Sequence, residues 1–257
     1  MSNGVGIQIR KRDGRLVPLN INKIHFVVEE AVEGLANVSA SQIEMNANIQ
    51  FYDGMSTAEI QEILIKSAND LISLDIPNYQ YAAARLLLYP IYKEAFGHFK
   101  PITLQEMIDT NIKRGVYDPT ILEKYSVDEI KILDKYIKHQ RDENFTYAGL
   151  RQIVDKYLCQ DRSSGEIFES PQFMYMMIAA TLFAEYPEKN RLAYVRRYYD
   201  ATSLFKINIP TPVMAGVRTP VRQFASCVLV DSDDTLDSIF ASDMSIGRYT
   251  AQRAGIG

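Results

Sequence analysis

Cys227 stands in an apolar run, Gln223-Phe224-Ala225-Ser226-Cys227-Val228-Leu229-Val230. A thiol held on an extended segment can close to a disulfide with a second thiol and deliver two electrons. On a strand, Cys227 shares a face with Ala225 and Leu229, while Ser226 points the other way. Residue types alone read it equally as a small buried hydrophobe. Just upstream, Ile207 and Ile209 alternate in an extended run that meets Pro210-Thr211-Pro212. Two prolines fix φ and remove two donors. The expectation is a stiff bend whose Thr211 hydroxyl and N–H can hold a small anion beside the thiol. Gly216 then turns the chain towards Thr219-Pro220.

A second set of residues is cationic. Lys11 and Arg12 lie in Lys11-Arg12-Asp13-Gly14, Lys23 lies near the start of a helical pattern, and Lys93 lies near the end of another. Cations on a turn reach phosphates, and a helix's first turn adds N–H groups and a favourable dipole. Spacing alone also fits a solvated turn and surface lysines. A third set is Asp231-Ser232-Asp233-Asp234-Thr235-Leu236-Asp237, an acidic turn with Asp233 or Asp234 as helix N-cap. The final Arg253-Ala254-Gly255-Ile256-Gly257 is a weak nucleotide motif by itself. Met174, Met176 and Met177 read as core packing. Cys159 reads as a structural thiol, and Tyr194, Tyr198 and Tyr199 as packing. No metal site is expected.

The elements that must position these residues are mostly helical. Residues 6–21 read as a β-hairpin around Arg12-Asp13-Gly14-Arg15, with Pro18 on an edge. Helices are expected from Asn22 to the stop at Gly34, from Ser39 to about Phe51, from Ser56, and from Asn78 to Phe96 with a kink at Pro90. Ser39 with Gln42, Ser56 with Glu59, Thr103 with Glu106 and Ser126 with Glu129 fit capping boxes. Residues 100–150 read as connecting helices with Asp142-Glu143-Asn144 on a solvated face. A hairpin is expected about Arg162-Ser163-Ser164-Gly165, then an apolar helix from Ser170-Pro171 to Phe183 and another from Arg191 to Phe205.

The chain has 257 residues, 47% of them hydrophobic, and a formal net charge of −4. That supports a packed core and gives no basic field for a nucleic-acid polymer. Two cysteines in this length argue for a reducing compartment. No apolar run has the length of a membrane span, so the expectation is a cytoplasmic protein with no membrane partner.

The stretch Thr211 to Leu229, with KRDG near the start, FYDGMST, NYQYAAARLL and QRAGIG, closely resembles the large catalytic subunit of class I ribonucleotide reductase. The resemblance implies a mainly α fold with α+β elements. An ATP cone would occupy 7–97 (a β-hairpin and about four helices), a helical region 98–220, and the first strands of a ten-stranded α/β barrel, left incomplete, 221–257. It implies an ATP or dATP activator site at Lys11, Val17, Pro18, Leu19, Asn20, Ile21, Asn22, Lys23, Thr57 and Lys93. Val17 and Gln61 depart from an acidic residue and a histidine in the family, which leaves ligand preference open. Substrate contacts fall on Thr211, Ser226 and Gly255, and a deoxynucleotide or ATP specificity effector on Asp234, Thr235 and Leu236. Cys227 is implied as a redox-active thiol whose partner lies outside the chain.

The same resemblance implies reduction of ribonucleoside diphosphates for DNA precursor synthesis, with no covalently bound cofactor. It implies a radical from a separate metal-containing small subunit, thioredoxin or glutaredoxin as reductant, and a dimer of large subunits. Because it covers about the first third of a family member, a downstream large-subunit fragment is expected, and this chain alone is expected to be inactive. A split gene, an intein junction and an incomplete record all fit the break after Gly257. Two other readings stay open: a non-catalytic ATP/dATP-sensing module retained from a reductase, and a cobalamin-dependent or glycyl-radical relative.

Overall fold

The computed structural model describes residues 7–221, 224–225, 227–252 and 254–257. Gly6, Gln223, Ser226 and Arg253, which enter the expectations above, lie outside the described residues. The chain opens with strands β1 (Gln8–Arg10) and β2 (Leu16–Pro18). Helices follow: α1 (Ile21–Val32), α2 (Ala40–Asn48), α3 (Thr57–Asp70), α4 (Tyr79–Phe96), α5 (Leu104–Lys113), α6 (Thr120–Lys124) and α7 (Val127–Tyr136). A 3-10 helix (His139–Asn144) precedes α8 (Tyr147–Lys156), α9 (Pro171–Leu182), α10 (Glu188–Ser203) and α11 (Thr211–Gly216). Strand β3 (Cys227–Val228), α12 (Leu236–Ala251) and strand β4 (Gly255–Ile256) complete the order. The described residues are therefore mostly helical, with two small sheets among them.

Two compact units emerge. The first takes the described residues up to Pro101 together with His139–Asp155. Its hairpin is antiparallel, with Ile9 opposite Val17. Gly14 at φ +83° makes the turn, a backbone region that side chains with a Cβ disfavour. Helix α4 is buried on most sides, through Tyr79, Ala82, Ala83, Ala84, Leu86, Leu87, Leu88 and Ile91. A helix apolar almost all round belongs in a core. Here α1 and α3 pack against it. It runs on through Pro90, and the Leu86 carbonyl one turn earlier accepts from the Gln61 side-chain amide at 2.8 Å. Gly97, at φ +78°, ends it.

Three of the four expected capping boxes form, at Ser56/Glu59, Thr103/Glu106 and Ser126/Glu129. The fourth does not. Ser39 is the N-cap of α2 but makes no side-chain cap. The Tyr79 hydroxyl accepts from the Ser39 N–H at 3.1 Å and donates to Gln42 at 2.5 Å, so a tertiary contact has taken both partners of the local motif. Helix α2 also stops at Asn48, short of Phe51. Asp142 is not on a solvated face: it is fully buried and accepts from the Tyr92 hydroxyl at 2.8 Å, while Glu143 and Asn144 are exposed.

The second unit takes Ile102–Lys138 and Lys156–Gly257. Its centre is α9, where Phe173, Met174, Met176, Ile178 and Ala179 are wholly inaccessible. Each large apolar side chain buried there contributes about 1.5–3 kcal/mol. Pro171 sits in its first turn, where the missing N–H would have had no helical partner. The turn before it is the expected hairpin, with Gln160 bridged antiparallel to Ile167 and Gly165 at φ +77°.

Candidate functional site

Residues of the hairpin turn, the start of α3 and the end of α4 enclose one cavity of about 360 Å³. It is lined by Lys11, Arg12, Asp13, Arg15, Val17, Thr57 and Lys93. The segment Phe51-Tyr52-Asp53-Gly54-Met55-Ser56 brings Thr57 there. Its Asp53 accepts the Gln8 N–H at 2.7 Å, its Gly54 N–H donates to the Gln8 carbonyl at 2.8 Å, and the Met55 carbonyl accepts the Arg10 N–H at 2.8 Å. Met55 is fully buried and anchors this docking. Thr57 is thus the first residue of α3, at a helix N-terminus that favours anions.

The lining carries four cations and one carboxylate. That carboxylate, Asp13, is engaged by the Arg15 guanidinium at 2.7 Å. Their bond holds the Asp13 carboxyl below its usual range. Lys93 is pushed the other way from a paired lysine: partial burial lowers its pKa, and the nearby charges of Arg12 and Lys11 lower it further. Cations that repel one another around a cavity form a receptor for a polyanion. The Lys93 ammonium also rests 5.2 Å from the Phe99 ring centroid, a cation–π contact.

The structure brings Lys11, Val17, Thr57 and Lys93 to this one cavity. Pro18, Leu19, Asn20, Ile21, Asn22 and Lys23 continue from β2 into the first turn of α1 and lie beyond the lining. Asn20 is the N-cap there and accepts the Lys23 N–H at 3.2 Å. Arg12, read above as a phosphate-reaching cation of the turn, belongs to the lining, and so does Arg15, which was not expected there; its place in the KRDGR turn was the available signal. A second cavity, of about 470 Å³, includes Glu30, Glu33, Glu143, Arg85, Tyr89 and Tyr92 in its lining. It is larger, but its three carboxylates suit no phosphate.

The candidates in the second unit are arranged differently. Thr211 opens α11 instead of forming a stiff extended bend. Phe205 takes a left-handed φ of +57°, and the N–H groups of Lys206 and Ile207 turn back to the Ala201 carbonyl. That finish to α10 uses the residues expected to be a strand. Pro212 then costs nothing at a helix start. The Thr211 hydroxyl lies 3.2 Å from the Tyr157 hydroxyl.

The segment after Thr211 is fixed by a buried ion pair. Arg218 and Glu169 are wholly inaccessible; the Arg218 Nε donates to Glu169 Oε2 at 3.0 Å and its Nη2 to the Tyr157 carbonyl at 2.8 Å. Tyr117 donates to the same carboxylate at 2.5 Å, and the Cys159 N–H donates to its other oxygen at 2.7 Å. Cys159 is buried beside this network, in keeping with a structural thiol.

Cys227 is exposed and begins β3, which pairs in parallel with β4 so that Cys227 lies opposite Gly255. Neither cysteine is in a disulfide. Asp234, Thr235 and Leu236 are exposed at the start of α12. The N-cap is Thr235, not Asp233 or Asp234. Its hydroxyl accepts the Ser238 N–H at 3.2 Å, while the Asp233 N–H donates to the Ser238 hydroxyl at 2.8 Å. The helix begins one residue later than an aspartate cap requires.

Residues 7–94 match the ATP cone domain, and residues 143–222 match the all-alpha domain of ribonucleotide reductase. The chain is 52% identical over 97% of its length to the ribonucleoside-diphosphate reductase 1 subunit alpha of Salmonella typhimurium, covering 33% of that protein. It is 51% identical over 98% of its length to the subunit alpha of Haemophilus influenzae, again covering 33%. To that of Helicobacter pylori it is 35% identical over 98% of its length, covering 31%. The chain belongs to the ribonucleotide reductase large-subunit family.

It spans about a third of the length of the curated relatives it matches. The cationic cavity falls wholly within the ATP cone match, and Thr211, Glu169 and Arg218 fall within the all-alpha match. Cys227, Gly255 and Asp234–Leu236 lie past both domain matches; the span shared with the Salmonella relative, 249 of the 257 residues, takes in Cys227 and Asp234–Leu236. Among the described residues, no group of three or more His, Cys, Asp or Glu side chains could hold a metal ion. No helix among them is long and apolar enough to cross a membrane.

Proposed function

We propose that this chain is the effector-binding and thiol-bearing portion of a class I ribonucleoside-diphosphate reductase large subunit. The observation that carries this reading is the cavity where Lys11, Arg12, Thr57 and Lys93 converge inside an ATP cone. ATP or dATP sits there with its phosphates on the lysines and the α3 N-terminus. The run Val17 to Lys23 follows β2 and contacts the nucleoside end. Residues 7–97 then act as the regulatory domain, 98–220 as a helical support, and 221–257 as the beginning of the catalytic α/β barrel.

Cys227 supplies one of two thiols that close to a disulfide, giving up two electrons and two protons as the ribose hydroxyl leaves as water. Its exposure on a two-residue strand keeps the sulfur reachable. Thr211, Ser226 and Gly255 hold the ribonucleoside diphosphate, with Gly255 directly across from Cys227. Asp234, Thr235 and Leu236 receive the specificity effector; a carboxylate there meets a ribose hydroxyl or a base, since it repels phosphate. Catalysis needs the remaining two thirds of a large subunit and a small metal-containing radical subunit. It also needs thioredoxin or glutaredoxin, and dimerisation of large subunits.

The test is co-expression of this chain with a fragment carrying the rest of a related large subunit and with the small subunit, followed by a deoxynucleotide assay. The two fragments together should be active, and the chain with the small subunit alone should not. Cys227→Ser should keep substrate binding and abolish multiple turnovers. Normal thiol-driven turnover by that variant would refute the redox role. Failure of the fragments to associate, with nucleotide binding intact, would favour a sensing module without catalysis.

A further inference from the structure

Gln61 is absent from the cavity lining, yet its side-chain amide bonds α3 to α4, the two helices that carry Thr57 and Lys93 into it. Helix α3 carries Thr57 at its start and Gln61 about one turn later. Helix α4 carries Pro90 about one turn before Lys93 at its end. In a regular helix the N–H of residue 90 would donate to the carbonyl of Leu86. Proline has no N–H, and its ring pushes on that carbonyl. The Gln61 Nε2 donates to the Leu86 oxygen at 2.8 Å, filling the place of the missing donor from a neighbouring helix.

We propose that Gln61 is a positioning residue for the effector site: a side-chain substitute for the backbone donor that Pro90 lacks. The proposal rests on the effector-site reading above. Leu86 is buried, so its carbonyl needs a partner within the protein or an inserted water. Water entering the helical ladder at a proline is a known cause of kinking. A kink there would re-aim the last turn of α4, and with it the Lys93 ammonium, away from Thr57. With the bond in place, α3 is joined to α4 about one turn past Thr57 and about two turns before Lys93, on the near side of Pro90. The role is indirect: Gln61 touches a carbonyl, not the nucleotide.

The experiment is calorimetric titration of the full 257-residue chain with ATP and dATP, beside thermal unfolding, for wild type, Gln61→Leu, Pro90→Ala and the double variant. Gln61→Leu should weaken nucleotide binding roughly three- to tenfold. Pro90→Ala supplies the backbone donor and should bind as wild type does. The double variant should recover wild-type affinity, because residue 90 then bonds Leu86 itself. A direct contact between Gln61 and the nucleotide would give no recovery and would overturn the proposal. So would a Gln61→Leu variant that melts earlier but binds normally, or failure of both Gln61 variants to fold. Absence of binding by the wild-type chain would overturn the effector-site reading and this role with it. Binding by wild type with no loss in Gln61→Leu would overturn this role alone.

Discussion

Lys93 and Cys227 stand in opposite kinds of surroundings. Lys93 lies in the last turn of an eighteen-residue helix buried on most sides, and the residues that share its cavity come from the hairpin and α3 of the same unit. Cys227 begins a two-residue strand paired with another two-residue strand. The helix between those strands has no buried residue and exposes Leu236, Ile239, Phe240, Met244, Ile246 and Tyr249. A site held by a core is set by local sequence and close packing. A thiol on a short, uncovered sheet takes its geometry from whatever covers that sheet. On the proposed reading, effector binding is then a property to test on this chain alone, and thiol chemistry one to test only with a fragment that covers the sheet.

The sharpest way to break the comparison is to unfold one unit and ask what happens to the other. Glu169→Ala leaves Arg218 charged and buried without its carboxylate, which should cost about 3–5 kcal/mol. Chemical denaturation should show the second unit melting early while ATP binding persists in the first. Loss of both together would mean that the cavity depends on the second unit.

A smaller effect is expected at the cavity itself. Lys93→Ala should weaken ATP or dATP by roughly 1.5–3 kcal/mol, the range for a hydrogen bond to a charged group, measured by calorimetry. Because burial and the charges of Arg12 and Lys11 lower the Lys93 pKa, affinity should stay level through neutral pH. It should then fall as pH rises, sooner than for a lysine at the ordinary 10.5. A flat profile into strong alkali would remove the ammonium from the site.

The smallest effect belongs to the turn that presents Thr57. Ser56→Ala removes the α3 cap and should cost about 1 kcal/mol in thermal unfolding. Hydrogen bonds from Tyr52 and then Ser56 bring Glu59 from the ordinary 4.5 to about 2. The contribution of Glu59 is therefore complete above pH 4.5 and is lost as pH falls through about 2. Acid titration of the first unit followed by circular dichroism should show loss in that window, reduced in Tyr52→Phe.

Much of the first unit was legible in the chain because its signals are local. The KRDG turn, the Gly34 stop and the Ser56/Glu59 box each work within a few residues, and the first and last of them bring residues to the cavity. Tyr79 shows where this ends: its hydroxyl claims Ser39 and Gln42 from a distance of about forty positions in sequence. Asp142 was misread for the same reason, since its partner Tyr92 is fifty residues away. At Thr211 the error was one of weighting. Paired prolines stiffen a bend and also suit a helix start, and the chain, after the left-handed turn at Phe205, takes the helix. Gln61 could be flagged as an unusual residue but not explained, because nothing in the sequence pairs it with Leu86.

The measurement that bears most directly on the central claim is titration of the 257-residue chain with ATP and dATP by calorimetry, wild type beside Lys11→Ala and Lys93→Ala. A saturable heat in the wild type that weakens in both variants is the expected result. No heat of binding at millimolar nucleotide, from a chain shown to be folded, would contradict the assignment of the cationic cavity as an effector site.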